Sequence, residues 1–161
     1  MKNNVKGLTQ AGVIACLYAV LTLMPGLGAI AYGPVQLRVS EALAVLPIFT
    51  PWAVPGLTVG CLIANMASPM AFDMVFGTAA TLLAAYFTYR LRNHMKAAVL
   101  MPAVFNGIII GSMITIFDNN AVRSLKLLLF NMGTVALGEL AVCALLGYPL
   151  ALYLKKSGLF K

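Results

Sequence analysis

The stretch LLLFNMGTVALGELAVCALLGYPLALYL, residues 127–154, decides the fold. It lies between Lys126 and Lys155 and contains one charged residue, Glu139. Wound as an α-helix, its 28 residues would reach about 42 Å, more than the ~30 Å hydrocarbon core of a bilayer. A run of this length and apolarity is a membrane-spanning helix.

Working outward, the same pattern recurs through the chain. Uncharged runs cover 7–37, 42–72, 74–89 and 97–117. Of the 161 residues, 61% are hydrophobic and 9% are charged, and the mean hydropathy is +0.94. Soluble domains carry roughly 25% charge. A chain this small has too much surface for its 11 basic and 4 acidic residues to cover, so a water-soluble globule is excluded. The same composition excludes a disordered or nucleic-acid-coating chain, despite the net charge of +7. The expectation is all-α: one transmembrane domain, an integral six-helix bundle with spans at roughly 8–28, 40–50, 55–71, 74–90, 97–117 and 126–154. The second span is short and framed by proline, with Pro34 before it, Pro47 within it, and Pro51 and Pro55 after it. It is expected to be tilted, broken or continued by loop, with its backbone buried in protein or facing a wet cavity.

Six spans place both termini on one side. That side holds Lys2, Lys6, Arg90, Arg92, Lys96, Lys155, Lys156 and Lys161, against Arg38, Arg123 and Lys126 on the other. The positive-inside rule then puts both termini in the cytoplasm, in a plasma-membrane protein. The lysines before the first apolar stretch resemble a signal peptide, but its length fits a first span. Cys16, Cys61 and Cys143 are isolated and the only histidine is His94, so no metal site, disulfide framework or cofactor is expected. No GxxxxGK[ST], HExxH or GxSxG pattern occurs, so neither ATP hydrolysis by that route nor enzymatic chemistry is expected.

Small residues recur at four-residue spacing: Ala11, Ala15 and Ala19; Gly56, Gly60 and Ala64; Gly77 and Ala85 around Thr81; Ala103, Gly107 and Gly111. Such stripes let helices approach closely in lipid. The alanine stripe of the first span fits either an internal contact or a docking surface for another membrane subunit.

The polar residues inside this apolar frame need explaining. An intramembrane carboxylate such as Glu139 costs roughly 2.5 kcal/mol or more, and marks a ligand or proton site unless neighbours satisfy it. Asn106 lies at similar depth, and Asn131 sits about 80° from Glu139 around the helix, close enough to border one cavity. A carboxylate with amides suits a flat polar heterocycle: the carboxylate accepts from two adjacent N–H groups while an amide reads a carbonyl or ring nitrogen. The segment from Tyr32 to Glu41 brings Gln36, Arg38, Ser40 and Glu41 to the outer side. Its structural alternative has Ser40 capping the second helix, Glu41 on the helix dipole and Arg38 paired with Glu41. Asp73 is either an N-cap or a second carboxylate for a cationic group.

These residues also carry a resemblance. Gly33-Pro34-Val35-Gln36-Leu37-Arg38-Val39-Ser40-Glu41-Ala42-Leu43, with Leu46-Pro47 following, resembles the signature of the QueT family. Gly56–Cys61 with Asn65, Asp73–Thr78, Phe105-Asn106-Gly107, Gly138-Glu139 and Gly147–Leu150 continue the likeness in order over about 30–150. The resemblance implies a substrate-binding S-component of an energy-coupling factor (ECF) importer. Such a subunit captures a queuosine precursor, a 7-deazaguanine such as 7-aminomethyl-7-deazaguanine. It works with a transmembrane coupling subunit and two cytoplasmic ATPases. It implies that Ala11, Ala15 and Ala19 form the AxxxA docking motif, and that Gln36, Arg38, Glu41 and Asp73 stand near an outward-facing site, with Asn106, Asn131 and Glu139 deeper. Tyr32 or Phe76 would supply stacking. The alternatives are an S-component for a pyrimidine or thiamine precursor, or an autonomous permease.

Overall fold

The computed structural model describes residues 2–26, 37–117 and 124–158, and their regular structure is entirely helical. Helix α1 (Lys2–Leu23) is followed by α2 (Val39–Ile48), α3 (Ala53–Asn65), α4 (Asp73–Arg90), α5 (Met95–Phe117) and α6 (Leu125–Ser157). Helices thus sit on each of the six apolar segments of the sequence. Three of them, Asn4–Leu23, Met95–Phe117 and Leu125–Ser157, are long and apolar enough to cross a membrane by length and composition.

The helix ends follow local chemistry. Helix α1 stops before Pro25 and Gly26, the latter at φ +87°, a left-handed turn that glycine adopts without a Cβ penalty. Helix α3 stops at Asn65, six residues before the expected limit, with Pro69 just beyond. Ser124 caps α6, its Oγ accepting from the Leu127 amide at 3.2 Å. Gly158, at φ +66°, ends that helix.

Helix α2 is wound as a 3-10 helix, with Pro47 inside it. At about 2.0 Å per residue this winding stretches ten residues to about 20 Å, still short of a full span. Ser40, Glu41, Ala42, Ala44, Val45, Leu46 and Pro47 are buried, and α2 touches every other helix. The remaining helices pack in the order α1–α3–α4–α5–α6. The short, proline-broken segment is therefore the axial element of the bundle, and its backbone is shielded from lipid by protein.

Backbones touch along the small-residue stripes. A Cβ on Gly56 or Gly60 would stand 2.7 Å from the carbonyl oxygen of Ala11 or Ala15. One on Gly111 would stand 2.4 Å from Met132 Cα. The alanine stripe consequently faces inward. Ala11 and Ala15 lie against Gly56 and Gly60 of α3, and Ala19 is buried as well. Outward, α1 presents Val13, Leu17 and Val20. Large apolar side chains such as Val75, Leu129, Leu137 and Leu145 are likewise exposed, as a surface bathed in lipid requires.

Candidate functional site

The polar residues buried between the helices gather around one cation. Arg38, just ahead of α2, is 3% exposed, and its Nη2 lies 3.8 Å from Asp73 Oδ2 at the start of α4. Its charge also acts on Tyr18, Glu41, Cys61 and Glu139. Five helices therefore contribute to one cluster: Tyr18 from α1, Glu41 from α2, Cys61 from α3, Asp73 from α4 and Glu139 from α6.

Each carboxyl is held by a neutral donor on another element. The Tyr18 hydroxyl donates to Glu41 Oε1. Ser68, in the α3–α4 turn, donates to Asp73 Oδ2. Asn106 of α5 hydrogen-bonds the Glu139 carboxyl. Asn65 fixes the start of α4 by donating to the Asp73 carbonyl at 2.9 Å. Gly77 leaves room for that amide, since a Cβ there would lie 2.6 Å from Asn65 Nδ2. Beside Tyr18, the Thr22 and Ser40 hydroxyls hydrogen-bond at 2.6 Å.

Among the buried side-chain atoms left over, beside the Thr78 hydroxyl, acceptors predominate. Glu41 Oε2, Asp73 Oδ1, Glu139 Oε2 and Asn65 Oδ1 are all buried without a hydrogen-bond partner. All four are acceptors. Each buried unsatisfied acceptor costs about 1–3 kcal/mol, more when charged. A molecule rich in N–H donors would recover that cost. Asp73 is paired with the Arg38 guanidinium, and Glu41 and Glu139 lie within reach of its charge.

The structure brings together Arg38, Glu41, Asp73, Asn106 and Glu139, and it separates Asn131. That amide donates to Thr115 Oγ1 at 3.0 Å, tying α6 to α5. It lies two turns from Glu139, about 12 Å along the helix. Three local expectations also change. Asp73 is the first residue of α4 rather than its cap. Ser40 bonds Thr22 instead of capping α2. The close ion pair of Arg38 is with Asp73, while Glu41 takes the Tyr18 hydroxyl. Phe76 packs on Phe117, ring centroids 5.6 Å apart. Gln36 and Tyr32 lie outside the described residues.

Sequence reasoning missed Tyr18, Ser68 and the positioning role of Asn65. The one available signal was a tyrosine in mid-span of α1, away from the interface where tyrosine usually anchors. Elsewhere, a groove of about 480 Å³ between α5 and α6 is lined by Leu100, Val104, Ile108, Met132, Leu137 and Leu140 among others. Nothing in it can read a polar solute.

The family model described as QueT transporter matches residues 8–156. The chain belongs to the QueT transporter family. Its cluster residues Arg38, Glu41, Asp73, Asn106 and Glu139 all fall inside the matched region. One QueT relative is the queuosine precursor transporter QueT of Lactococcus lactis subsp. cremoris (strain MG1363). It is 32% identical over 150 residues, which cover 87% of each chain. No solved structure matches. QueT membership and the apolar helices make this a membrane protein of a transporter family, not of an enzyme family.

Proposed function

We propose that this chain is the substrate-capture subunit of an importer for a queuosine precursor, a 7-deazaguanine base such as 7-aminomethyl-7-deazaguanine. One observation carries the reading: in a QueT family member, carboxyls from three helices gather about the charge of Arg38, and each carboxyl keeps one buried oxygen without a partner. A guanine-type edge offers adjacent N–H donors to those oxygens, and an aminomethyl group adds a cation. Arg38 would donate to the ring carbonyl. Asp73, at the start of α4 beside the α3–α4 turn, would meet the ammonium.

The six helices then form one bundle within the bilayer with both termini in the cytoplasm, and Arg38 and Asp73 stand toward the outer face. Energy comes from outside the chain, which has no phosphate-cradling loop of the GxxxxGK[ST] type. A transmembrane coupling subunit and two cytoplasmic ATPases of ECF type supply it, and the chain itself performs no covalent chemistry. Docking to the coupling subunit falls to outward-facing residues of α1 such as Val13, Leu17 and Val20, since the alanines are covered.

Binding of 7-aminomethyl-7-deazaguanine to the purified chain tests the reading. Glu41→Gln and Glu139→Gln are each expected to weaken binding, at least one of them more than about tenfold, the size of losing one charge-assisted hydrogen bond. Wild-type affinity in both variants would overturn the site, and preference for a pyrimidine or thiamine precursor would overturn the substrate. Uptake by proteoliposomes holding this chain alone would overturn the dependence on ATPases.

A further inference from the structure

The geometry points to Tyr18 as the residue that turns Glu41 into a one-pronged acceptor and so sets which ligand donor it reads. This inference deepens the binding reading above and rests on it. Tyr18 is fully buried, and its hydroxyl occupies Glu41 Oε1, leaving Oε2 as the only oxygen of that carboxyl without a partner. The space for the tyrosine comes from α3. A Cβ on Gly60 would stand 2.8 Å from Tyr18 Cβ, so only a glycine lets the ring seat at this depth. The ring is thus clamped at its base by backbone packing, and its hydroxyl is spent on the carboxylate.

The consequence concerns recognition. A carboxylate with both oxygens free binds two parallel N–H groups in a fork. Glu41 cannot do so while Tyr18 holds one prong. Glu139 has the same arrangement, with Asn106 on the carboxyl and Oε2 without a partner. The polar edge of the ligand is therefore divided between two carboxyls, one oxygen each. Tyr18 is a positioning residue: it touches Glu41, and Glu41 touches the ligand.

The bond between Thr22 and Ser40 supplies an internal control. It also joins α1 to α2, one helical turn from Tyr18, but its partner is the Ser40 hydroxyl rather than a carboxyl, and among the described residues the Thr22 hydroxyl otherwise meets only the Tyr18 backbone carbonyl, at 2.9 Å. If α1 merely staples α2, the two bonds are interchangeable. If Tyr18 aims Glu41, they are not.

The experiment measures the Kd for 7-aminomethyl-7-deazaguanine in Tyr18→Phe, Thr22→Val, Glu41→Gln and the Tyr18→Phe/Glu41→Gln double variant, with thermal melts of each. Tyr18→Phe is expected to weaken binding about tenfold, Thr22→Val to leave it within about twofold, and the double variant to bind no worse than Glu41→Gln alone, as residues acting through one contact are non-additive. Equal losses in Tyr18→Phe and Thr22→Val, or an undiminished loss from Tyr18→Phe in the Glu41→Gln background, would overturn the inference. If Glu41→Gln weakens binding and Tyr18→Phe does not, this inference fails while the site stands. If neither Glu41→Gln nor Glu139→Gln weakens binding, the site itself fails and takes the inference with it. Should Tyr18→Phe not fold, Gly60→Ala, which pushes on the Tyr18 Cβ, must reproduce the loss of affinity or the inference falls.

Discussion

Arg38 is the cation that the buried acids share, and it is nearly inaccessible to solvent. A guanidinium stays charged in any protein setting, so removing it leaves carboxyls buried without their counter-charge. Breaking one side of a buried ion pair typically costs about 3–5 kcal/mol. Arg38→Met is therefore expected to lower the thermal midpoint sharply in detergent, and an unchanged melt would show that the cluster is not holding the helices. At this scale the sequence was legible in part. Arg38, Glu41, Asp73, Asn106 and Glu139 stood out because charge and amide groups are costly in an apolar chain. Their partners did not stand out. Spacing along one segment offered Glu41 to Arg38 three residues away, yet the bundle delivers Tyr18 from 23 residues back and Asp73 from the next helix but one. Asn131 misled for the same reason: angle around a helix was readable, but Thr115 on the facing helix was not.

Among elements, the α1–α3 contact sets how closely the site can be built. The backbones meet at Gly56 and Gly60, where any side chain would strike a carbonyl oxygen rather than a flexible group. Gly60→Leu is expected to destabilise the bundle by about 1–3 kcal/mol, the usual cost of overpacking. Gly12→Ala meets nothing within 4 Å and should melt no lower than the parent. Equal melts for both variants would show that the two helices do not touch as described. The small-residue stripes were evident as four-residue periods, and the helices followed. Which stripes face each other was not evident, because a smooth face suits an internal neighbour and a foreign helix equally. The 3-10 winding of α2 was hidden too. Prolines forecast a broken element, whereas the tightened coil and its central position come from the helices around it.

For the whole molecule, charge asymmetry makes the orientation testable. The α4–α5 turn carries Arg92, Asn93 and His94, all exposed, while Ser124 is exposed ahead of α6. Cys61 and Cys143 are buried, and Cys16 alone of the cysteines is exposed. In a Cys16→Ala background, Asn93→Cys is expected to resist a membrane-impermeant maleimide on intact cells and to react after lysis. Ser124→Cys is expected to react from outside. The reverse pattern would invert the molecule and turn Arg38 and Asp73 toward the cytoplasm.

The single π turn at Cys143–Gly147 has a geometric consequence for α6. Val135, Glu139, Cys143, Gly147 and Ala151 are all buried, at strict intervals of four. In an unbroken α-helix that spacing slips about 40° at every step, so the line would wander off the interior within a few turns. The wider coil takes up part of this slippage, at the place where Gly147 lies against Val45 of α2. One surplus residue thus acts as a phase corrector: it lets Leu154 join the apolar cluster that holds Ile14, Leu46 and Leu57 while Glu139 stays buried two turns before the wider coil ends.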